Sequence, residues 1–425
     1  MRIGVNSPAI PGHLNPMTVL ARELQRRGHE VVFFTSFLSE PAVRAAGLSH
    51  FPFREKYFRP DNAGERFAVL SALQGRDALA CAFGMIADAS RELIDDGPRM
   101  IKQSGVDALV LDSLWRNLDL VAMHLGVPYV HISLALHQDF TGKTPFWAYD
   151  WPHETGPEAQ ARNLQGLVDL APLVAPCEAV TREYVERVGL KVDVDDPYFA
   201  FSRLAQITQT PKVFDFPSDH WPPHFHHTGP LHDGYGRVPI AFPWERLTGE
   251  PMIYASMGTL NNGSEQAYRT IVEGACSAGR QLVLSLGRNV DPAQLGPVPS
   301  NTIIVAHAPQ LELLQKATLC ITHAGQNTVL EALAKGVPVV AIPVANDQPG
   351  VAARIAFTRT GKFVPFADLS APSLRSLVDE VIAEPLYREN AQKMGAAIQE
   401  LNGPSLAADI IEDAFGVQHS RSVGV

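Results

Sequence analysis

The stretch LCITHAGQNTVLEALAKGVPVVAIPVANDQ, residues 319–348, contains the unit on which the whole chain is built. An apolar run, LCIT, ends at His323 and is followed by a segment with helical spacing that stops at Gly336. A second apolar run, PVVAIPVA, comes directly after it. Apolar runs without polar alternation are typical of strands covered on both faces, and a helix between two such strands indicates a right-handed βαβ unit. We therefore predict a strand, a helix and a strand here.

Runs of the same kind recur along the rest of the chain. They are RIGVNSPA, EVVFFTS, ALVLDS, PYVHIS and AQITQT in the first half, and PMIYASMG, QLVLSLG and TIIVAHAP in the second half. With helical patterns between them, they indicate an α/β protein made of doubly wound parallel sheets. The chain has 425 residues, which suits two domains of about 200 residues each.

The alternation of strands and helices is interrupted once, in a segment rich in Gly, Pro and turn residues that indicates a linker. We predict an N-terminal Rossmann-like domain over residues 1–227, a linker over 228–247 and a C-terminal Rossmann-like domain over 248–404. Their parallel sheets would face each other across a cleft. Residues 405–425 would form a final helix and tail, with the helix packed back on the first domain.

Two side chains of the first domain are candidates for acid–base chemistry. His13 lies in IPGHLNP, after the first strand, where we predict a helix capped by Asn15 with Pro16 in its first turn. Asp112 follows the apolar run ALVL, so both residues lie at carboxyl ends of strands, where ligands of such sheets bind. Histidine is the usual general base near neutral pH, and a carboxylate bonded to its Nδ1 would fix the tautomer. A helix-capping role is the alternative for Asp112.

The polar residues that open the second-domain helix are suited to a diphosphate. Gly325 lets the backbone turn after the strand, and we predict that the helix begins near Asn327. A helix N-terminus presents free N–H groups and partial positive charge, which attract phosphate. His323 and Thr328 can donate hydrogen bonds beside it.

The residues that follow are suited to a ribose and a sugar. Glu331 lies one turn into the helix, on the same face as Asn327, where a carboxylate can bind both ribose hydroxyls. The next strand ends at Asp347 and Gln348, an acid and an amide suited to sugar hydroxyls. A cap, a turn or a solvated polar group is the alternative for each residue taken singly, but together they indicate a nucleotide sugar.

Two further strand ends of the second domain fit the same ligand. Gly258 and Thr259, in ASMGTL, would offer backbone N–H groups to phosphate. His307, Ala308 and Gln310, in AHAPQ, would hold the base through a flat ring and backbone groups.

Composition and charge exclude several other classes of protein. The formal net charge is −10, so the basic excess expected of a nucleic-acid binder is missing. The first ten residues read as a buried strand rather than a signal peptide, and no apolar run is long enough for a bilayer span. The four cysteines are isolated and form no metal spacing, which suggests a reducing cytoplasm. The cluster HFHH, residues 224–227, has no acid or Cys nearby to complete a metal site.

These motifs resemble those of the GT-B glycosyltransferases of family 1, which use UDP-sugars. HAPQLELL followed by THAGQNTVLEALAKGVPVVAIPVANDQ is similar to the family's donor-binding signature, with Glu331 and Asp347 placed eight and twenty-four residues after His323. PGHLNP and LVLD are similar to the segments that carry its catalytic His and Asp. The likeness spans essentially the whole chain. FHHTGPL, ASMGTL and DQPGVAARI most resemble bacterial zeaxanthin glucosyltransferases, and then macrolide and other natural-product glycosyltransferases.

The resemblance implies that residues 1–227 bind the acceptor and that residues 248–404 bind the nucleotide sugar. It also implies a role for each candidate residue. His13 would be the general base and Asp112 its orienting partner. The donor would be held at its diphosphate by His323, Gly325, Asn327 and Thr328, at its ribose by Glu331, at its sugar by Asp347 and Gln348, and at its uracil by the backbone of Ala308.

The signature also departs from its plant form. His307 and Gln326 stand where plant members have Trp, and Ala324 stands where they have Cys. Imidazole is a smaller stacking surface than indole, so a TDP-sugar is an alternative donor. Gln348, at the last place of the signature, favours glucose in the family.

The resemblance implies an inverting glycosyltransferase that moves a hexose, glucose from UDP-glucose first of all, to a hydroxyl of a hydrophobic natural product. Carotenoids such as zeaxanthin, polyketides or macrolides, and phenols all remain open as acceptors. Direct displacement requires no covalent intermediate, metal or other cofactor. A nucleotide-sugar epimerase or phosphorylase on the same fold, or a non-catalytic glycosyltransferase-like auxiliary protein, are the alternatives.

Aromatic residues of two regions are candidates for acceptor contact. Phe140, Phe146 and Trp147 follow the strand PYVHIS, and Phe83 lies in a second aromatic region, residues 54–90. Aromatic loops over a cleft suit a large apolar acceptor, whereas packing on the domain core is the alternative. With a membrane-dissolved acceptor, exposed aromatics would also suit peripheral contact with a bilayer, without electrostatic help from the acidic chain.

Overall fold

Two parallel sheets organise the part of the chain that the structure describes. The structure is a computed structural model and describes residues 1–53, 62–114, 116–232, 240–277, 279–287 and 290–417. The strands of the first sheet are β1 (Arg2–Asn6), β2 (Glu30–Thr35), β3 (Ser49–Pro52), β4 (Ala108–Asp112), β5 (Tyr129–Ser133), β6 (Gln206–Thr208) and β7 (Phe225–His227). Their order in the sheet is β3-β2-β1-β4-β5-β6-β7, and every pairing is parallel.

The second sheet repeats this plan with fewer strands. They are β8 (Met252–Ser256), β9 (Gln281–Ser285), β10 (Thr302–Val305), β11 (Ala317–Thr322), β12 (Val339–Ala341) and β13 (Gly361–Phe363). Their order is β10-β9-β8-β11-β12-β13, again with parallel pairings. The predicted pair of Rossmann-like sheets is confirmed. The strands β3, β7 and β13 are additional to the predicted runs: they are short, partly exposed and at sheet edges, so they lack a continuous apolar run.

Helices cover both faces of the sheets. Those that precede β8 are α1 (Pro11–Arg26), α2 (Glu40–Ala45), α3 (Ala63–Ala72), α4 (Gly75–Ser104), α5 (Leu118–Leu125) and α6 (Pro157–Val188). Those that follow it are α7 (Glu265–Ala275), α8 (Gln310–Leu314), α9 (Gln326–Ala334), α10 (Gln348–Phe357), α11 (Ala371–Ala383), α12 (Pro385–Gln399) and α13 (Gly403–Ala414). No helix of the described residues is long and apolar enough to cross a membrane.

The first helix begins earlier than predicted. We expected Asn15 to cap it, but α1 starts at Pro11, with Ile10 at the N-cap position and without a side-chain cap. Proline is favoured at a first helical position because its φ is already helical and its missing N–H has no helical partner there. His13 therefore lies within the first turn of α1, and Pro16 lies inside the helix.

The last helix packs on the first sheet's domain. Arg27, at the end of α1, donates from Nη1 to Asp409 (2.5 Å) and to Glu412 (2.6 Å), both on α13. The Nε2 atom of His29 lies 2.9 Å from Glu412. The preceding helix α12 packs instead against the second sheet's domain, so the chain passes from one domain to the other between α12 and α13. Of the predicted linker and tail, residues 233–239 and 418–425 lie outside the described residues.

A buried ion pair joins the two domains beside the cleft. Arg354, on α10, donates from Nε to Asp215 Oδ1 at 2.8 Å, and its guanidinium lies 4.2 Å from the ring centre of Phe216. The Nε2 atom of His137 lies 3.1 Å from the other oxygen of Asp215. Burial alone would raise the pKa of Asp215, but the charges and hydrogen bonds of His137 and Arg354 hold it well below its ordinary value. Asp215 therefore stays charged and holds α10 against the first domain.

The packing of α13 predicts a stability effect. Ile411 has no exposed surface and belongs to the first domain's core, so Ile411→Ala should lower the free energy of unfolding by about 2–5 kcal/mol. Leu406, on the same helix, is 37% exposed, and Leu406→Ala should change the free energy by less than about 0.5 kcal/mol. Urea unfolding followed by circular dichroism compares the two. Equal effects would mean that α13 does not depend on this contact.

Candidate active site

His13 and Asp112 meet at the carboxyl edge of the first sheet. The Nδ1 atom of His13 lies 2.8 Å from Asp112 Oδ2, although the residues are 99 positions apart. Asp112 ends β4, next to β1 in the sheet, and its Oδ1 accepts from the backbone N–H of Leu114 at 2.9 Å. The carboxylate thus holds the turn after β4 with one oxygen and the imidazole with the other, and it does not cap a helix, since Asn117 is the N-cap residue of α5. With Nδ1 engaged, Nε2 is the His13 atom left to accept a proton.

The surroundings of His13 favour its protonated form. Burial alone would lower the pKa of His13, but the charge and hydrogen bond of Asp112, together with the charge of Asp347, raise it above its ordinary value. Asp347 belongs to the second domain, so one of the charges that raises the pKa of His13 comes from across the cleft. The arrangement can take a proton and stabilise the resulting imidazolium.

His323 lies in a slot lined by two glycines. A Cβ at Gly258 would lie 2.3 Å from His323 Cε1, and a Cβ at Gly325 would lie 2.4 Å from its Nε2. Gly258 also has φ +74°, which favours glycine. Burial lowers the pKa of His323 to about 4, against a hydrogen bond that the imidazole donates to the backbone of Ser256. The ring is therefore neutral near pH 7 and carries a single N–H donor.

The backbone before α9 is held in a conformation that suits an anion site. The helix begins at Gln326, one residue before the predicted start, with Gly325 at its N-cap position. Ala324 has φ +66°, a left-handed value that is costly for a residue with a Cβ and that clusters at functional sites. No side chain caps the helix, so the N–H groups of its first turn, beside Thr328, remain as donors.

Asn327 lies at the predicted place but its side chain faces the other domain. Its Nδ2 donates to the carbonyl of Gly12 at 2.5 Å, and its Oδ1 accepts from Gln209 Nε2 at 2.8 Å. Sequence reasoning missed Gly12 and Gln209. The available signal was their position at the carboxyl ends of β1 and β6, the edge where His13 and Asp112 were found.

Glu331 is buried and already hydrogen-bonded. Gln310 Nε2 donates to Glu331 Oε2 at 2.7 Å and lies 3.4 Å from Thr328 Oγ1. The Oε1 of Gln310 accepts from the hydroxyl of Tyr254 at 3.0 Å. Gln310, predicted to meet the base, therefore holds the predicted ribose carboxylate in place.

Asp347 and Gln348 lie where the turn after β12 meets the first domain. Asn346 has φ +58°, a second strained left-handed residue at the site. Asp347 Oδ2 accepts from the N–H of Leu136 at 3.2 Å, and burial raises its pKa against that bond and the charge of His13. Gln348 Oε1 accepts from two backbone N–H groups, at 2.8 and 3.0 Å, so its amide NH₂ is the group that can meet a sugar hydroxyl.

The remaining donor candidates differ in their exposure. Thr259 follows Gly258 and is exposed. His307 is exposed, whereas Ala308 is buried. Among the residues that the structure describes, no group of three His, Cys, Asp or Glu side chains could hold a metal ion.

The predicted acceptor aromatics pack on one another. Phe83 and Phe146 are only 4% and 7% exposed and belong to the first domain's core. Trp147 lies 4.8 Å from Phe146 and 6.4 Å from Phe83 between ring centres, and Phe140 lies 5.7 Å from Phe146. Burial of Phe83 and Phe146 favours the core-packing alternative over acceptor contact, while Trp147 also packs against the second domain. Residues 54–61 of the second aromatic region lie outside the described residues.

Comparison with known proteins places the chain among glycosyltransferases. Residues 212–400 match the protein-family model described as "UDP-glucoronosyl and UDP-glucosyl transferase". A zeaxanthin glucosyltransferase of Pseudescherichia vulneris is 30% identical over 98% of this chain and 98% of its own length. Another, from Pantoea ananas, is 28% identical over 96% of this chain and 95% of its own length.

Solved structures share the fold. The glycosyltransferase of kitacinnamycin superposes with a TM-score of 0.74 at 24% identity, covering 97% of this chain and 98% of its own. A glycosyltransferase of Streptomyces sp. SF2575, complexed with thymidine diphosphate, superposes with a TM-score of 0.66 at 19% identity, covering 97% of this chain and 99% of its own. The predicted GT-B architecture is confirmed.

The glycine slot around His323 predicts a binding defect. Gly258→Ala would displace His323, so we expect the dissociation constant of UDP to rise at least about tenfold, as for the loss of one hydrogen bond to a charged group. Gly249→Ala is the matched control, because Gly249 has a similar φ of +85° but no neighbour within 4 Å of an added Cβ. Calorimetric titration with UDP measures both variants. Equal affinities would show that the slot is not part of the nucleotide site.

Proposed function

The chain belongs to the UDP-glucoronosyl and UDP-glucosyl transferase family, and from this premise we propose that it is an inverting glucosyltransferase acting on hydrophobic alcohols. The observation that carries the proposal is the 2.8 Å contact of His13 Nδ1 with Asp112 Oδ2, next to the charge of Asp347. A base, a sugar-binding acid and a helix N-terminus are the parts that direct displacement needs. That the chain is a UDP-sugar-dependent glycosyltransferase follows from its family.

The reaction is a single displacement. His13 Nε2 takes the proton of the acceptor hydroxyl as the oxygen attacks the anomeric carbon from the face opposite the leaving group. The bond from that carbon to the diphosphate oxygen breaks, and UDP leaves with the electron pair. The growing charge on the diphosphate is met by the N–H groups at the start of α9, by the Thr328 hydroxyl and by His323. Asp112 stabilises the imidazolium and holds its ring in place.

UDP-glucose is the donor we put first, and a TDP-sugar is the second candidate. The carboxylate of Glu331, held by Gln310 at 2.7 Å, is ready to accept from ribose hydroxyls. Gln348 and Asp347 offer a donor and an acceptor to the hexose. The second candidate is supported by the exposed imidazole of His307 at the predicted base site, and by the thymidine diphosphate bound to a protein of the same fold.

The acceptor we propose is a hydroxyl on a large apolar natural product, and carotenoids are the first candidate class. The support is the 30% identity to a zeaxanthin glucosyltransferase along nearly the whole chain. Half-buried Phe140 and Trp147 are the candidate contacts that remain. We also propose that the protein works in the cytoplasm, where its four free cysteines would stay reduced.

The function is tested by a transfer assay. UDP-glucose and TDP-glucose would each be combined with zeaxanthin, a macrolide and a phenol, with products identified by mass spectrometry and the anomeric configuration read by NMR. We expect a β-glucoside from UDP-glucose, and His13→Ala should lower the rate about 10²- to 10⁴-fold by removing the base. His124→Ala, on an exposed face of α5, is the control. A sugar isomer or sugar phosphate as product, or full activity of His13→Ala, would overturn the proposal.

The contact of His13 with Asp112 also predicts how the rate of transfer depends on pH. Transfer requires neutral His13, whose pKa is raised, so kcat/KM should increase as the pH passes upward through that raised value. In Asp112→Asn the acid's charge is gone and burial still lowers the His13 pKa, so the midpoint should move to lower pH. The plateau should also fall, by at least about tenfold, because the imidazolium loses its partner. A pH profile of wild type and variant measures both, and an unmoved midpoint would contradict the assignment of His13.

A further inference from the structure

The carbonyl of Gly12, the residue before His13, lacks its usual helical N–H donor because of a proline. In a regular helix the N–H of residue 16 would donate to the carbonyl of residue 12, but Pro16 has no N–H. The freed Gly12 carbonyl accepts from Asn327 Nδ2 at 2.5 Å. A side chain from the first turn of α9 therefore holds the backbone of the first turn of α1 across the cleft.

The amide of Asn327 is fixed at both ends. Its Oδ1 accepts from Gln209 Nε2 at 2.8 Å, and the same Nε2 donates to the carbonyl of Leu134 at 2.5 Å. A carbonyl can only accept and an amide NH₂ can only donate, so the partners determine which way the amide points. Gln209 is 1% exposed, so water does not compete for this contact.

These contacts commit one N–H of Asn327 Nδ2, and its Oδ1, to the first domain, so the second N–H is the only side-chain donor that Asn327 has left. Its backbone N–H is one of the donors in the first turn of α9. His13, meanwhile, is held by Asp112 at Nδ1, so the position of its Nε2 along the cleft depends on the first turn of α1. Asn327 connects that turn directly to the helix end on which the donor would rest.

We propose that Asn327 is a positioning residue that sets His13 relative to the donor by bonding Gly12, with Gln209 orienting its amide. The inference rests on the proposed glucosyl transfer. In this proposal the Asn327 side chain aligns the two domains. The phosphate is bound by the backbone N–H groups of α9, by Thr328 and by His323. An oxygen and an anomeric carbon react efficiently only when they are held within a narrow range of distance and angle, and a misplacement of about 1 Å can cost 10²-fold in rate.

The test separates alignment from phosphate binding. Asn327→Ala, Gln209→Met and the double variant would be assayed with UDP-glucose and zeaxanthin in detergent micelles, and titrated with UDP alone. We expect kcat of Asn327→Ala to fall about 10- to 100-fold, with the UDP dissociation constant unchanged. The ratio of donor hydrolysis to transfer should rise, and the pH midpoint should stay in place because Asp112 still holds His13. The two changes should be non-additive, since Gln209 acts through Asn327.

Asn301→Ala is the matched control. The side chain of this Asn likewise donates to backbone carbonyls, those of Ser277 and Arg280, but it precedes β10 and so lies at the opposite edge of the second sheet. It should keep wild-type kcat. Thermal melting reports folding, and Gln209→Met carries the test if Asn327→Ala fails to fold.

Three outcomes would overturn the alignment role. They are weaker UDP binding with kcat retained, which would make Asn327 a phosphate ligand; wild-type kinetics in both single variants; and additive effects in the double variant. A wild-type protein that transfers no sugar would instead overturn the proposed function itself.

Discussion

Parallel strands all end at the same edge of their sheet, and this constraint places the candidate chemistry of the chain in the cleft between its two sheets. His13 and Asp112 follow neighbouring strands of the first sheet, whereas His323 and Asp347 follow neighbouring strands of the second. Each sheet can organise its own half of the site through its own hydrogen-bonded register. Neither register determines how far the halves are from each other. That distance depends on contacts across the cleft, such as Arg354 with Asp215 and Asn327 with Gly12.

The two domains differ in how they stabilise charge. In the first domain, carboxylates raise the pKa of His13, so the imidazolium formed by proton transfer is stabilised where it arises. In the second domain, burial keeps His323 neutral, and the proposed anion site would rely on helix N–H groups and a hydroxyl. Fixed dipoles need no reorganisation when charge moves from the sugar to the leaving group.

The sequence alone was sufficient to predict those site residues that lie at the ends of strands. The pairing of His13 with Asp112 could be predicted over 99 positions because both residues follow apolar runs of strand length. The start of α1 was predicted wrongly, since Asn15 is a good cap but Pro11 already fits the first helical position. Phe83 and Phe146 could be found as aromatics, but whether an aromatic residue faces a cleft or a core depends on tertiary packing, which periodicity does not contain. The contact of Asn327 with Gly12 could not be predicted for the same reason, because it depends on tertiary packing.

Irregularities of the backbone supply the contacts that regular structure cannot. A helix normally uses its own carbonyls, so the open carbonyl of Gly12 exists only because Pro16 interrupts the ladder. Ala324 and Asn346, with φ of +66° and +58°, similarly direct the segments before α9 and α10 toward the cleft. Such residues reduce stability locally and persist only where surrounding packing holds them. Here they lie at the carboxyl edges of the strands, so the cores that build the two sheets also hold the strained turns in place.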